Sequence, residues 1–213
     1  MKSYRITRDR AGRWHVAFAA IPDPVDGPST GEIVGIDRGV AVSAALSTGE
    51  LLSCPGLTAR ETARRKNWCE KTSTSLARRF GVIRVEDLNI KNMTRSARGT
   101  VAEPGRNVAA KAGLNRGIQR SGWGLLVRRL EDKAPGRVEK VSPAFTSQCC
   151  SACGHVARES RESQALFRCV ACGHTLNADV NAARNIAAGH AVNARGGDRD
   201  AGPANREPQL LAP

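Results

Sequence analysis

Four cysteines and three acids are the residues of this chain whose types and spacing suit chemistry. SQCCSACGH gives Cys150-x-x-Cys153, fifteen residues intervene, and RCVACGH gives Cys169-x-x-Cys172. Each knuckle ends Cys-Gly-His, and glycine after the second thiolate permits the tight turn that lets backbone amides face sulfur. Four thiolates complete a tetrahedral shell, a closed structural Zn²⁺ site. Cys149 could replace Cys150, because a three-residue gap is also tolerated. His155 and His174 then read as solvated loop residues. Six residues past Cys172, Asp179 stands in an Ala/Asn-rich helical segment, while Asp37 closes the apolar run EIVGID and Glu86-Asp87 closes VIRVED. Three such carboxylates, if they converge, form a hard-oxygen cage for Mg²⁺ or Mn²⁺. Two ions ~4 Å apart could then activate water and stabilise the leaving oxygen in phosphodiester hydrolysis. Each acid also has a plainer reading: Asp37 as a turn aspartate, Asp179 as a charge favoured by the helix dipole. Glu86 and Asp87 point to opposite faces of a strand, and parity alone does not choose between them.

The elements that must position these groups follow from the hydropathy pattern. Residues 4–20 read as a hairpin with a turn at Asp9–Gly12 and alternating Trp14, Val16 and Phe18. IPDPVDGPSTG (21–31) is a Pro/Gly linker and domain boundary. A strand ends at Asp37, a second covers 40–46, and a third follows a turn at Ser47–Glu50. A basic helix spans 59–80, with Trp68, Thr72, Leu76 and Phe80 as a packing stripe. Next come a buried-type strand over 82–88, a basic loop over 91–120, a helix over 119–134 around Trp123, Leu126, Val127 and Leu130, and a strand over 136–143. The cysteine insert follows, and a last helix begins near Asn177. This order implies an α/β, ribonuclease H-like mixed sheet flanked by helices, with an inserted four-cysteine zinc ribbon and a short N-terminal β-hairpin, the layout that the resemblance given below narrows to RuvC-type. In that layout the first and fourth strands are neighbours, and a helix N-terminus leans over their ends. Asp37, Glu86 and Asp179 would meet there, within carboxylate-bridging distance, leaving an open cation site rather than ion pairs. The expected units are the hairpin and linker over 1–30, the first part of the α/β domain over 31–145, the ribbon over 146–176, the final helix over 177–190 and a disordered tail over 191–213.

Composition points to the partner. The chain of 213 residues has 33 Lys and Arg against 20 Asp and Glu, a net charge of +13. Arg supplies 26 of those cations, and its planar fork suits phosphate better than an ammonium does. Such an excess suggests a polyanion, most often nucleic acid, with a ribosome-associated protein or an Arg-rich genome bias as plainer alternatives. Arg64, Arg65, Lys66, Lys91 and Arg184 are candidate phosphate contacts. Aromatics at 4% argue against an RNA-binding sheet built on base stacking. No apolar run approaches the ~18 residues of a membrane helix, and MKSYRITRDR lacks a signal-peptide core. The expected location is cytoplasmic and nucleoid-associated, where seven cysteines mean metal ligands or free thiols rather than disulfides.

GIDRGVAV, VEDLNIKNM and TSQCCSACGH…FRCVACGH…NADVNAARNI resemble the catalytic motifs and zinc ribbon of the TnpB/OrfB family, the insertion-sequence proteins related to type V CRISPR effectors. The resemblance runs from about Val34 to Ala188. It implies an RNA-guided, RuvC-like DNA endonuclease cutting with Asp37, Glu86 and Asp179, linked to DNA transposition and recombination. It also selects Glu86 over Asp87 and Cys150 over Cys149 as ligands. The implied cofactors are structural Zn²⁺ and catalytic Mg²⁺ or Mn²⁺; the implied partners are DNA and a guide RNA from the same element, with no membrane. Family members carry a recognition domain and most of a β-barrel upstream, and a longer helical hairpin where this chain has the 49 positions from Asp37 to Glu86. The hairpin is similar to the last strands of that barrel. A truncated or minimal member is therefore expected, with chemistry intact. The alternative is a non-cutting zinc-ribbon nucleic-acid-binding protein, a regulator or remnant.

Overall fold

In a computed structural model, the described residues are 4–18, 23–28, 30–55 and 59–189. The expected tail at 191–213 lies outside them. Among the described residues no helix is long and apolar enough to cross a membrane.

Strands β1 (Tyr4–Arg8) and β2 (Trp14–Phe18) form an antiparallel hairpin, paired from Tyr4–Phe18 to Arg8–Trp14. Asp9 holds its turn: Oδ1 accepts from the amides of Ala11 and Arg13, both at 2.9 Å. Tyr4, Ile6, Trp14, Val16 and Phe18 are all exposed on this ribbon.

The main sheet has the order β5-β4-β3-β6-β7. Its strands are β3 (Ile33–Asp37), β4 (Ala44–Leu46), β5 (Leu51–Leu52), β6 (Val82–Glu86) and β7 (Val138–Val141). β3, β4 and β5 run as an antiparallel meander, and β6 and β7 lie parallel to β3. Helices α1 (Ala59–Arg79) and α4 (Trp123–Lys133) bury Leu76, Phe80, Leu126 and Leu130 with Val34, Ile36, Ile83 and Val85 in one core. The 59–80 stripe behaves as packing should: Leu76 and Phe80 are buried, and Trp68 packs at the margin.

Helix α5 (Ala178–Ala188) covers β3 from the opposite side. A Cβ added at Gly35 would stand 2.0 Å from the Ala183 carbonyl oxygen and 2.3 Å from the Ala187 amide nitrogen. Only a residue without a side chain lets the helix backbone lie this close to the strand. Buried Ala178, Ala182 and Ala183 keep the rest of the contact thin.

Buried Lys133 and half-buried Arg137 lock the α1/α4 layer. Lys133 donates to the Glu70 carbonyl (2.7 Å), Ser73 Oγ (3.0 Å) and Thr74 Oγ1 (2.7 Å). Arg137 donates to the Ala77 and Phe80 carbonyls at 3.0 and 2.8 Å, capping the end of α1. Arg137 also reaches the Val25 carbonyl, and the Val25 amide donates to Lys133 O at 2.6 Å. The described part of the 21–31 segment is thus seated on the core.

Three expectations change. The strand expected over 40–46 starts at Ala44, because a turn closed by Gly39 N to Val42 O (2.9 Å) fills the interval. The stretch expected as a loop over 91–120 contains α2 (Ile90–Met93) and α3 (Val108–Arg120). Gly113 and Gly117 make α3 read as loop, yet a Cβ at Gly117 would meet Val40 Cγ1 at 2.6 Å, so that glycine serves a close contact. The helix expected over 119–134 begins only at Trp123, since Gly122 at φ +71° separates α3 from α4.

Replacing Gly35 by Val should destabilise the protein by about 2 kcal/mol or more, because the obstacle is backbone that cannot move aside. Thermal unfolding beside the wild type measures it; an unchanged melting temperature would show that α5 does not need this approach.

Candidate functional site

Strand parity brings two of the acids to one face. β3 and β6 pair in register with Ile36 opposite Val85. Val34, Ile36, Ile83 and Val85 face the α1/α4 core, so Gly35, Asp37, Arg84 and Glu86 face α5. Asp37 and Glu86 each close their strand, one step past the Ile36–Val85 pair. Glu86 is buried and Asp87 exposed. Helix α5 supplies Asp179 in its first turn, where Asn177 Oδ1 caps the amides of Asp179 (3.0 Å) and Val180 (3.1 Å). Asp179 borders the turn after Asp37: a Cβ at Gly39 would be 3.9 Å from its Oδ2.

The charges of the other two acids reach Asp37. Burial pushes Asp37 up to about 8; the charges of Glu86 and Asp179 add to this, and Arg161 opposes it. Burial also raises Asp179 against the pull of Arg161. The acids do not close into a tight cage. Among the described residues, the four cysteine sulfurs are the one set of three or more Cys, His, Asp or Glu ligand atoms within 4.8 Å of each other. Asp179 is also ion-paired, with Arg161 Nη2 at 3.2 Å from Oδ1. Both points differ from the expected open site at bridging distance. Like-charge repulsion and the attraction of Asp179 to the Arg161 guanidinium account for the difference.

Three further residues border the acids without having stood out in the sequence. The Thr146 hydroxyl lies 2.6 Å from Glu86 Oε1. The buried Arg38 guanidinium donates to the Glu86 carbonyl. Arg161 reaches in from the segment between the two knuckles. Arg38 adjoins Asp37, a usable signal; Thr146 and Arg161 belong to no local pattern.

The sulfur cluster fits a metal such as zinc. Cys150 Sγ lies 3.8 Å from Cys172 Sγ, and Cys153 Sγ lies 3.6 Å from Cys169 Sγ. Zn–S bonds of about 2.3 Å in a tetrahedron give edges of about 3.8 Å. The knuckles repeat one geometry: Gly154 and Gly173 donate to the Cys150 and Cys169 carbonyls, both at 2.9 Å, with φ of +75° and +71°. Burial alone would raise the Cys169 thiol, but the amides of Cys172 and Ala171 and the neighbouring thiols bring it down to about 6. Cys149 stands outside the cluster, its buried thiol directed at the carbonyls of Cys150 (3.7 Å) and Gly154 (3.6 Å). His155 is exposed; His174 is half-buried with an unpartnered Nε2, unlike the solvated residue expected.

Of the cations singled out for phosphate contact, Arg64, Lys66, Lys91 and Arg184 are exposed. Arg65 donates to the Gln119 carbonyl at 2.9 Å, tying α1 to the end of α3.

Residues 123–186 match the family model described as Cas12f1-like, TNB domain. The chain is 51% identical over 136 residues to the inferred RNA-guided DNA endonuclease InsQ of Escherichia coli (strain K12), covering 62% of this chain and 34% of that protein. It is 52% identical over 56 residues to the CRISPR-associated endodeoxyribonuclease Cas12f1 of Sulfoacidibacillus thermotolerans, covering 26% of this chain and 13% of that protein. The chain is TnpB/Cas12-like. A further relative, an inferred RNA-guided DNA endonuclease of Streptomyces pristinaespiralis, is 30% identical over 90% of this chain and 54% of its own length. The TnpB/Cas12-like chain thus spans about a third to a half of these two inferred endonucleases.

Two predictions concern this site. Purified protein should carry one Zn²⁺ per chain by elemental analysis; Cys169→Ser should lose it and Cys149→Ser should keep it. Zinc retained by the first variant or lost by the second would show the ligand set to be different. In chelator-containing buffer, Asp37 is protonated in the folded state up to about pH 8, whereas its unfolded carboxyl ionises near ~4. Its contribution to stability is therefore full below about pH 4 and is lost as pH rises to about 8. Asp37→Asn lacks that loss, so its melting temperature relative to wild type should rise across this window. A pH-independent difference would show that Asp37 senses no such environment.

Proposed function

We propose that this chain carries a RuvC-like, metal-dependent DNA nuclease centre built on Asp37, Glu86 and Asp179, within a ribonuclease H-like domain. One observation carries the reading: Asp37 and Glu86 end two neighbouring parallel strands, and burial, joined by the charges of Glu86 and of Asp179 on the facing helix, raises the Asp37 carboxyl to about 8. A buried arrangement of repelling carboxylates is costly to folding and suits a cation. The three acids would hold Mg²⁺ or Mn²⁺, which when bound polarises a phosphodiester and lowers the pKa of water. The protein's own contribution is orientation. The Thr146 hydroxyl fixes one oxygen of Glu86, the Arg38 guanidinium anchors the Glu86 backbone, and the Asn177 cap sets the first turn of α5 that bears Asp179. The four-cysteine cluster would hold structural Zn²⁺ and staple the 146–176 segment, which has little apolar core beyond Phe167.

The substrate in this reading is DNA, bound through phosphate contacts of the exposed cations on α1 and α5. The relatives named as RNA-guided DNA endonucleases support a guide RNA as partner; a role in the mobility of a transposable element rests on the resemblance of the motifs to the TnpB/OrfB family.

The test is cleavage of radiolabelled single- and double-stranded DNA with Mg²⁺ or Mn²⁺, with and without the element's own transcript, beside Asp37→Asn and Asp179→Asn. Cutting should fall by at least ~100-fold in either variant, while binding persists and weakens steeply with salt. Salt-sensitive binding by a wild type that cuts nothing under any of these conditions would instead establish the non-cutting nucleic-acid-binding role.

A further inference from the structure

The ribbon and the acidic centre are joined by a short chain of buried polar contacts. Asn181 and Asn185, four residues apart on α5, present their amides on one helix face, and both are buried. Each donates from Nδ2 to the Cys149 carbonyl at 2.7 Å. Asn181 Oδ1 accepts the amide of Ser151 at 2.9 Å, inside the Cys150–Cys153 knuckle. Asn185 Nδ2 also donates to the Thr146 carbonyl at 2.8 Å. The hydroxyl of that same Thr146 lies 2.6 Å from Glu86 Oε1. Three side chains therefore connect a knuckle of the sulfur cluster to one carboxylate of the acidic centre.

Packing alone does not call for this. An apolar pair on α5 would fill the same space, and valine has the outline of threonine. A buried amide left without a partner is costly, so the contacts hold as a set or fail as a set. A knuckle held by its metal fixes the Cys149 and Ser151 backbone. The two asparagines carry that constraint to Thr146, and the hydroxyl of Thr146 aims one oxygen of Glu86.

We infer that Thr146, Asn181 and Asn185 are positioning residues that couple metal loading of the four-cysteine cluster to cation binding at Asp37, Glu86 and Asp179. This rests on the nuclease reading for the identity of the acidic centre. Coupling between two sites is reciprocal, so each metal tightens the other. Partners that orient a ligating side chain typically change metal affinity by about 10–100-fold when removed.

The experiment measures Mn²⁺ affinity by electron paramagnetic resonance on the full chain, loaded with Zn²⁺ and after chelation, for wild type, Thr146→Val and Thr146→Ser. Wild type should lose about tenfold in Mn²⁺ affinity when zinc is removed. Thr146→Val should bind Mn²⁺ about tenfold more weakly than zinc-loaded wild type and respond to zinc by less than about twofold, while Thr146→Ser keeps wild-type behaviour. The Val variant retains the Thr146 backbone carbonyl that Asn185 needs and loses only the hydroxyl contact to Glu86, so its melting temperature should fall by only a few degrees. Where chelation unfolds the ribbon, the Val-versus-Ser contrast in zinc-loaded protein reads the Thr146 hydroxyl, and Asn181→Leu in zinc-loaded protein reads the link to the knuckle: Mn²⁺ affinity unchanged by Asn181→Leu overturns the relay. Equal Mn²⁺ affinity in the two variants, or a full zinc response in Thr146→Val, overturns the relay. No Mn²⁺ binding by zinc-loaded wild type overturns the acidic-centre reading itself.

Discussion

Everything at the acidic end of the sheet depends on how closely α5 lies on β3. The absence of a side chain at Gly35 lets a helix backbone approach a strand backbone, with alanines lining the rest of the contact. That approach brings the first turn of α5 over the ends of β3 and β6, which sets Asp179 against two strand-end acids. A bulkier residue at position 35 would lift the helix and draw Asp179 away from Asp37 and Glu86. A packing constraint and an electrostatic one thus share a single residue, and the helix that satisfies both has almost no exposed side.

The charges illustrate a second division of labour. Cations within the fold close backbone and side-chain acceptors: Lys133 and Arg137 terminate and brace α1, and Arg38 and Arg161 surround the acids. Other cations stand at the surface, among them Arg64 and Lys66 on α1, Lys91 on α2 and Arg184 on the outward edge of α5. A guanidinium inside the fold has a different task from one outside it, although composition counts them alike.

Much of the architecture was legible from the chain. The strand ends at Asp37 and Glu86, the start of the last helix and the four thiols follow from alternation, capping chemistry and metal-ligand spacing, which are local signals. What was illegible depends on contacts across long sequence distances. α3 was obscured by Gly113 and Gly117, the second of which exists for contact with Val40. The early start given to β4 came from apolar Val40 and Val42, which the structure spends on a turn and a helix contact. Thr146, Arg161, Asn181 and Asn185 carry no pattern of their own; their partners lie tens of residues away. The ion pair on Asp179 was likewise invisible, because Arg161 is isolated in a polar segment until the ribbon folds.

The position of the ribbon, between β7 and α5 in chain order, has a consequence for synthesis. β3, with the first acid, is made well before its covering helix, which comes more than 140 positions later. Until then the side of β3 that bears Gly35 is bare, and no local contact can stand in for α5. Such pairings between distant parts of a chain make folding slow. Two acids emerge long before the third, and the segment bridging the interval must itself be ordered to deliver α5 in place. Asp179 is therefore the last of the three acids that a growing chain can bring to the sheet.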